Sequence, residues 1–131
     1  MLQIRFPAVR VLAIIAIPLL AGCGLQSPQE VMDRAETTKT ITVGAGVEDA
    51  FHNAVKSRYA TNKHVQHSLN RESGEGLIWM GGFEDVYAVV KFERLSVRKT
   101  RVTTFYHGGA WDWNLEGIRK SLKEKYGQVS P

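Results

Sequence analysis

The chain has 131 residues, 44% of them hydrophobic and 23% charged, with 17 basic and 13 acidic side chains and a formal net charge of +4. That length leaves room for one core and not two, and so mild a charge argues against a dedicated nucleic-acid binder. A single cysteine, Cys23, excludes both an intramolecular disulfide and a cysteine-based zinc centre.

Residues 1–22 read as a secretory signal peptide, with Arg5 and Arg10 as the basic n-region and residues 11–20 as the apolar h-region. A membrane-spanning helix needs about 20 apolar residues, and here Gln26, Ser27, Pro28, Gln29 and Glu30 follow too soon. The apolar run ends on Leu20, Ala21, Gly22 and Cys23, which resemble the lipobox of bacterial lipoproteins. That resemblance implies a diacylglycerol thioether on the Cys23 sulfur, cleavage before Cys23 and N-acylation of the new terminus, with no other cofactor. Small side chains at Ala21 and Gly22 let an extended chain enter a peptidase cleft, and a thiolate is the nucleophile that takes the lipid. Each buried methylene contributes about 0.8 kcal/mol, so one acyl chain anchors marginally while two or three hold a protein on a bilayer. Gly24 stands where many lipoproteins retained in the inner membrane carry Asp. The resemblance therefore implies an outer-membrane anchor with the domain facing the periplasm.

Residues 23–39 read as the lipidated N-terminus and a flexible tether, holding at most a loose helical turn near Val31. Such a stretch of about 16 residues spans on the order of 20 to 25 Å on average. One domain is expected over residues 40–127, followed by a short tail over 128–131. Thr40, Ile41, Thr42 and Val43 predict a strand, and Gly44 to Gly46 a turn into a helix with Glu48 and Asp49 in its first turn. Val47, Ala50, Phe51, Ala54, Val55 and Tyr59 form one stripe at spacings of three and four, so that helix is expected to reach residues 60–62. Residues 65–69 and 77–80 read as a hairpin, and Gly81 and Gly82 break the chain before a strand over 86–93. Residues 99–106 alternate, which predicts one packed and one wetter sheet face. Asp112 is the expected N-cap of a last helix, with Trp111 as its staple, Leu115, Ile118 and Leu122 on one side and Gly127 as the C-cap.

The order strand, helix, strands, helix predicts an α+β fold: one antiparallel sheet of about four to five strands with two helices on one face. The positions Val47, Ala50, Phe51, Ala54, Val55, Arg71, Gly76 and Leu77 make the layout resemble domains of small periplasmic lipoproteins, such as those of the assembly lipoprotein BamC. The resemblance supplies no active-site residue.

Neither a catalytic nor a metal-binding set is expected. His64 and His67 lie three apart in a strand and point to opposite faces, no cysteine joins them, and no serine lies in a nucleophile motif. His52 stands three residues from Asp49, a spacing read as a solvated helix face and not as a general base with its orienter, and Gly44 with Gly46 lacks the third glycine and lysine of a phosphate loop. Removing Arg5 and Arg10 leaves 15 basic against 13 acidic residues, in which two basic groups stand out: Lys91, Arg94, Arg98, Lys99 and Arg101 around a strand connection, and Arg119, Lys120, Lys123 and Lys125 on the last helix. Trp111 and Trp113 cannot both point inward from one helix start. Trp113 with these basic residues is the expected interaction surface. The function expected is a non-enzymatic accessory or interaction module in the cell envelope, held to the membrane by its lipid and meeting a protein partner. The rival is a binder of a lipid or other apolar molecule in a concavity lined by Trp79, Phe92 and Phe105.

Overall fold

A computed structural model describes residues 27–82 and 85–131. The signal peptide and the Leu20, Ala21, Gly22 and Cys23 motif lie outside the described residues. The elements in order are α1 (Pro28–Arg34), β1 (Thr37–Val43), α2 (Val47–Lys56), β2 (Val65–Asn70), β3 (Glu75–Gly81), β4 (Val86–Ser96), β5 (Lys99–Tyr106) and α3 (Asp112–Tyr126). The five strands form one antiparallel sheet ordered β1-β5-β4-β3-β2. This is the α+β architecture expected, with a third helix added.

Alternation explains how the sheet sorts its side chains. Ile41, Val43, Ile78, Met80, Ala88, Val90, Phe92 and Val102 face α2 and α3, where Ala50, Phe51, Leu115, Ile118 and Leu122 close the main core. The opposite face carries a second, smaller cluster in which Val31 and Met32 of α1 pack on Leu77, Trp79, Val86, Val89 and Phe105. That cluster corrects the expectation of a flexible tether up to residue 39. Ser27 accepts a hydrogen bond from the Glu30 N–H (3.2 Å) and so caps α1, and β1 begins at Thr37, paired with Tyr106. Seven residues are too few for a helix to persist alone in water. The buried Val31 is what holds α1 in place.

Two boundaries also differ. α2 stops at Lys56 because Ser57 turns extended and its hydroxyl donates to the Ala54 carbonyl (2.7 Å), which ends the helix short of residues 60–62. At α3 the N-cap position is Trp111 without a side-chain bond, and Asp112 is the first helical residue, acting on the dipole and not as the cap. Gly127 closes α3 at φ 75°, with its N–H donating to the Lys123 carbonyl. The residues beyond return along the outside of β1: the Val129 N–H donates to the Thr42 carbonyl (2.9 Å) and the Gly44 N–H to the Gly127 carbonyl (3.1 Å).

The Tyr126 hydroxyl donates to the Asp49 carbonyl (3.3 Å), and burial, then the Asp49 charge, raise its phenol above the ordinary 10.0. An acid whose folded pKa is raised contributes stability that is complete below the unfolded pKa and is lost as pH climbs through the folded one. The urea midpoint is expected to fall above about pH 10, and less steeply in Tyr126→Phe. Equal slopes in the two proteins would show that this phenol does not contribute.

Candidate functional site

Because α2 ends early, Arg58 and Tyr59 lie in a turn leading away from it. The Tyr59 ring lies over Gly117 of α3 and meets the Trp113 ring edge-on, with centroids 4.7 Å apart and planes at 60°. Arg58 donates to the Tyr59 hydroxyl (3.0 Å), with its guanidinium 5.0 Å from the Tyr59 ring centre and 5.9 Å from that of Trp113. The Asn114 amide donates to the Tyr59 carbonyl (2.8 Å) and locks the turn to α3. Trp111 packs against the core, whereas Trp113 is 59% exposed. The structure thus separates the two tryptophans as the helix start requires.

Beside this stack a groove of about 540 Å³ runs between α3 and β1, lined by Lys39, Thr40, Ile41, Glu116, Lys120 and Lys123, with Arg119 at its floor. Lys120 and Lys123 are exposed. Arg119 is not part of the surface expected for it: it is only 7% exposed and donates to the hydroxyls of Thr104 and Tyr106. Among the described residues no carboxylate forms an ion pair with it. A guanidinium is the cation best suited to this position, being planar and weakly hydrated. The groove is therefore basic along its walls and its floor, with Glu116 as its carboxylate.

The other expected basic group lies elsewhere. Arg98 is exposed in the β4–β5 turn, and Arg101 alternates with the core-facing Val102, so it points to the sheet face that carries α1, with its guanidinium 4.0 Å from Glu93. Lys99 shares that parity. The sheet keeps Arg98, Lys99 and Arg101 apart from Lys120 and Lys123, so the two groups do not form one patch.

The histidines are dispersed. His52 and His67 both edge the Phe51 ring, at 5.8 and 5.9 Å, beside an open depression of about 700 Å³. His64 is exposed in a loop, and the Nδ1 atom of His107 lies 3.6 Å from the Glu36 carboxylate. Among the described residues no three His, Cys, Asp or Glu side chains gather as a metal site. Nor is any helix there long and apolar enough to cross a membrane.

Comparison with protein-family models, with curated proteins and with solved structures finds no match. Sequence reasoning missed Arg58, Tyr59 and Lys39 as parts of the surface. Tyr59 sat on the helical stripe of α2 and Lys39 in the expected tether, so the only available signal was Ser57, a residue that stops helices as readily as it continues them.

Proposed function

We propose that the protein is an envelope lipoprotein, anchored through Cys23 with its domain facing the periplasm, and that the α3 surface is where this module meets a protein partner. The observation that carries the reading is Trp113. A tryptophan 59% exposed, braced by Tyr59 and Arg58 and bordered by Lys120 and Lys123, combines the side-chain types that dominate protein interfaces. Its bracing lowers the entropy lost when a partner covers it. The apolar-ligand reading draws less support: of the three residues expected to line a concavity, Phe92 is fully buried in the core, and Trp79 and Phe105 are packed against α1.

The docked α1 changes what the anchor does. From Cys23 to Ser27 there are four peptide steps, which span at most roughly 14 Å when fully extended. On this reading the domain rests against the headgroups instead of ranging 20 to 25 Å from them.

Two measurements test the proposal. Cys23→Ser should release the protein from the membrane or leave an unprocessed precursor, and a mutant still processed and membrane-bound would sink the anchor. Brief crosslinking of the tagged lipoprotein in envelopes, followed by mass spectrometry, should yield a near-stoichiometric protein that is lost in Trp113→Ala with Lys120→Glu and Lys123→Glu. An enriched lipid or metabolite without such a protein would favour the rival.

A further inference from the structure

The two edges of the sheet are treated differently. The outer edge of β1 is partly covered by the chain itself, through Gln128 bridging Val43 and the Val129 N–H donating to Thr42. No described residue pairs with the outer edge of β2. In an antiparallel ladder alternate residues turn their backbone groups toward the neighbour and away from it. The Gly81 N–H donates to the His64 carbonyl (3.3 Å), which sets the phase: Gln66, Ser68 and Asn70 bond inward to β3, and Val65, His67 and Leu69 face outward. The Val65 N–H is taken by the Asn62 carbonyl (3.0 Å). The Val65 carbonyl and both backbone groups of His67 and Leu69 remain open to another strand.

Natural edges are guarded by charge, proline or a bulge. β2 has the sequence VQHSLN, without a formally charged residue or a proline, and its register with β3 is unbroken. Alongside it, on the α2 face, lies the open depression bordered by Phe51, His52 and Leu69. A strand added about 4.8 Å beyond β2 places every second side chain over that depression.

We propose that the outer edge of β2 is a docking site for an extended segment of another protein, added as a further strand. Its apolar side chains settle against Phe51 and Leu69, and an acidic residue at one end faces the exposed Lys63, whereas Arg71 at the other end already pairs with Glu48 (3.8 Å). A second copy fits less well: in the register of greatest overlap, centred on His67, its residues 63–71 offer no carboxylate to Lys63. The site stands apart from the α3 surface and needs no lipid anchor.

The test uses the full chain, isotopically labelled in detergent micelles, and a synthetic peptide of alternating valine and threonine between terminal glutamates. Binding is expected to slow amide exchange at His67 and Leu69 and to shift resonances of β2 and α2. His67→Pro removes an N–H that the folded sheet does not use, so the fold is retained. It is expected to weaken the peptide about tenfold or more, since the new ladder loses a bond and its close approach. If that variant does not fold, His67→Glu at the same exposed position gives the same loss by guarding the edge with charge. No exchange protection at about 1 mM peptide, equal binding by the proline variant, shifts centred on α3, or dimerisation through β2 would each overturn the proposal.

Discussion

Gly117→Ala is expected to lower the melting temperature and to strip the aromatic stack from α3, although alanine is the better helix former. In an exposed helix the change stabilises by about 1 kcal/mol. Here a Cβ at Gly117 would run into Tyr59 Cδ1 and Cε1 and lie 2.6 Å from Cγ. Contact with Cγ, beside the Tyr59 main chain, means that the ring cannot escape by swinging its far end; Tyr59 has to leave α3. It takes with it the edge-on contact with Trp113, a type worth roughly 0.5 to 1.5 kcal/mol, while overpacking typically costs about 1 to 3 kcal/mol. The net loss is expected to be about 1 to 3 kcal/mol, or a melting temperature lower by roughly 5 to 20 °C. Trp113 fluorescence should shift as its brace departs. The decisive control is the same substitution in a Tyr59→Ala background, where the ring is gone and alanine should stabilise. If Gly117→Ala melts at or above the parent while Tyr59 is present, the close approach of α3 to Tyr59 is not what requires glycine there.

That sign reversal shows why parts of the site were legible and others were not. The stripes of α2 and α3 announce one buried side each, because their apolar spacing has a single period over many residues, and the β-branched runs of β1, β4 and β5 announce strands. The wetter sheet face expected from residues 99–106 is instead covered by α1, so Val86, Val89 and Phe105 pack there. Boundaries depend on one or two residues. Tyr59 continues the spacing of Val47, Ala50, Phe51, Ala54 and Val55, yet the Ser57 hydroxyl bonds Ala54 and ends the helix, which sends Tyr59 to α3 instead of the sheet. Arg119 was read with its lysine neighbours as part of an exposed interaction surface. Its spacing was available all the same: Leu115, Ile118, Arg119 and Leu122 fall on one stripe, and all four are buried. α1 was harder to see. Seven residues with Val31 as the buried one carry almost no periodic signal, and the second cluster exists only once Leu77, Trp79, Val89 and Phe105 are brought together from three strands. Thr37 to Lys39 likewise show no apolar alternation, because the first half of β1 is exposed on both faces and its backbone pairing with β5 does the work.

Val31→Asp is expected to detach α1 while leaving the rest of the domain folded. Val31 is fully buried with Val86 and Val89, and Met32, Leu77, Trp79 and Phe105 pack around them. Leaving an ionised group unpaired in such a place costs several kcal/mol. Holding α1 on the sheet yields less, since burying a valine and part of a methionine contributes about 2 to 4 kcal/mol before any cost of ordering the helix. The cheaper outcome is release of the helix, since none of the main core between the sheet and α2 and α3 depends on it. Hydrogen exchange should rise over residues 28–34 toward that of an unstructured chain while β3, β4 and β5 stay protected. Trp79 emission should shift to the red as its cover is lost. For a lipid-anchored protein there is a further consequence. With α1 docked, four peptide steps join Cys23 to Ser27; with it released, the free segment runs to Thr37, and the largest reach rises from roughly 14 Å to nearly 50 Å. Paramagnetic headgroups in proteoliposomes should therefore relax the domain's amides strongly in the parent and weakly in Val31→Asp. Equal relaxation in both, with α1 shown by exchange to be released, would mean that the domain binds the membrane through its own surface and not through the shortness of its leash.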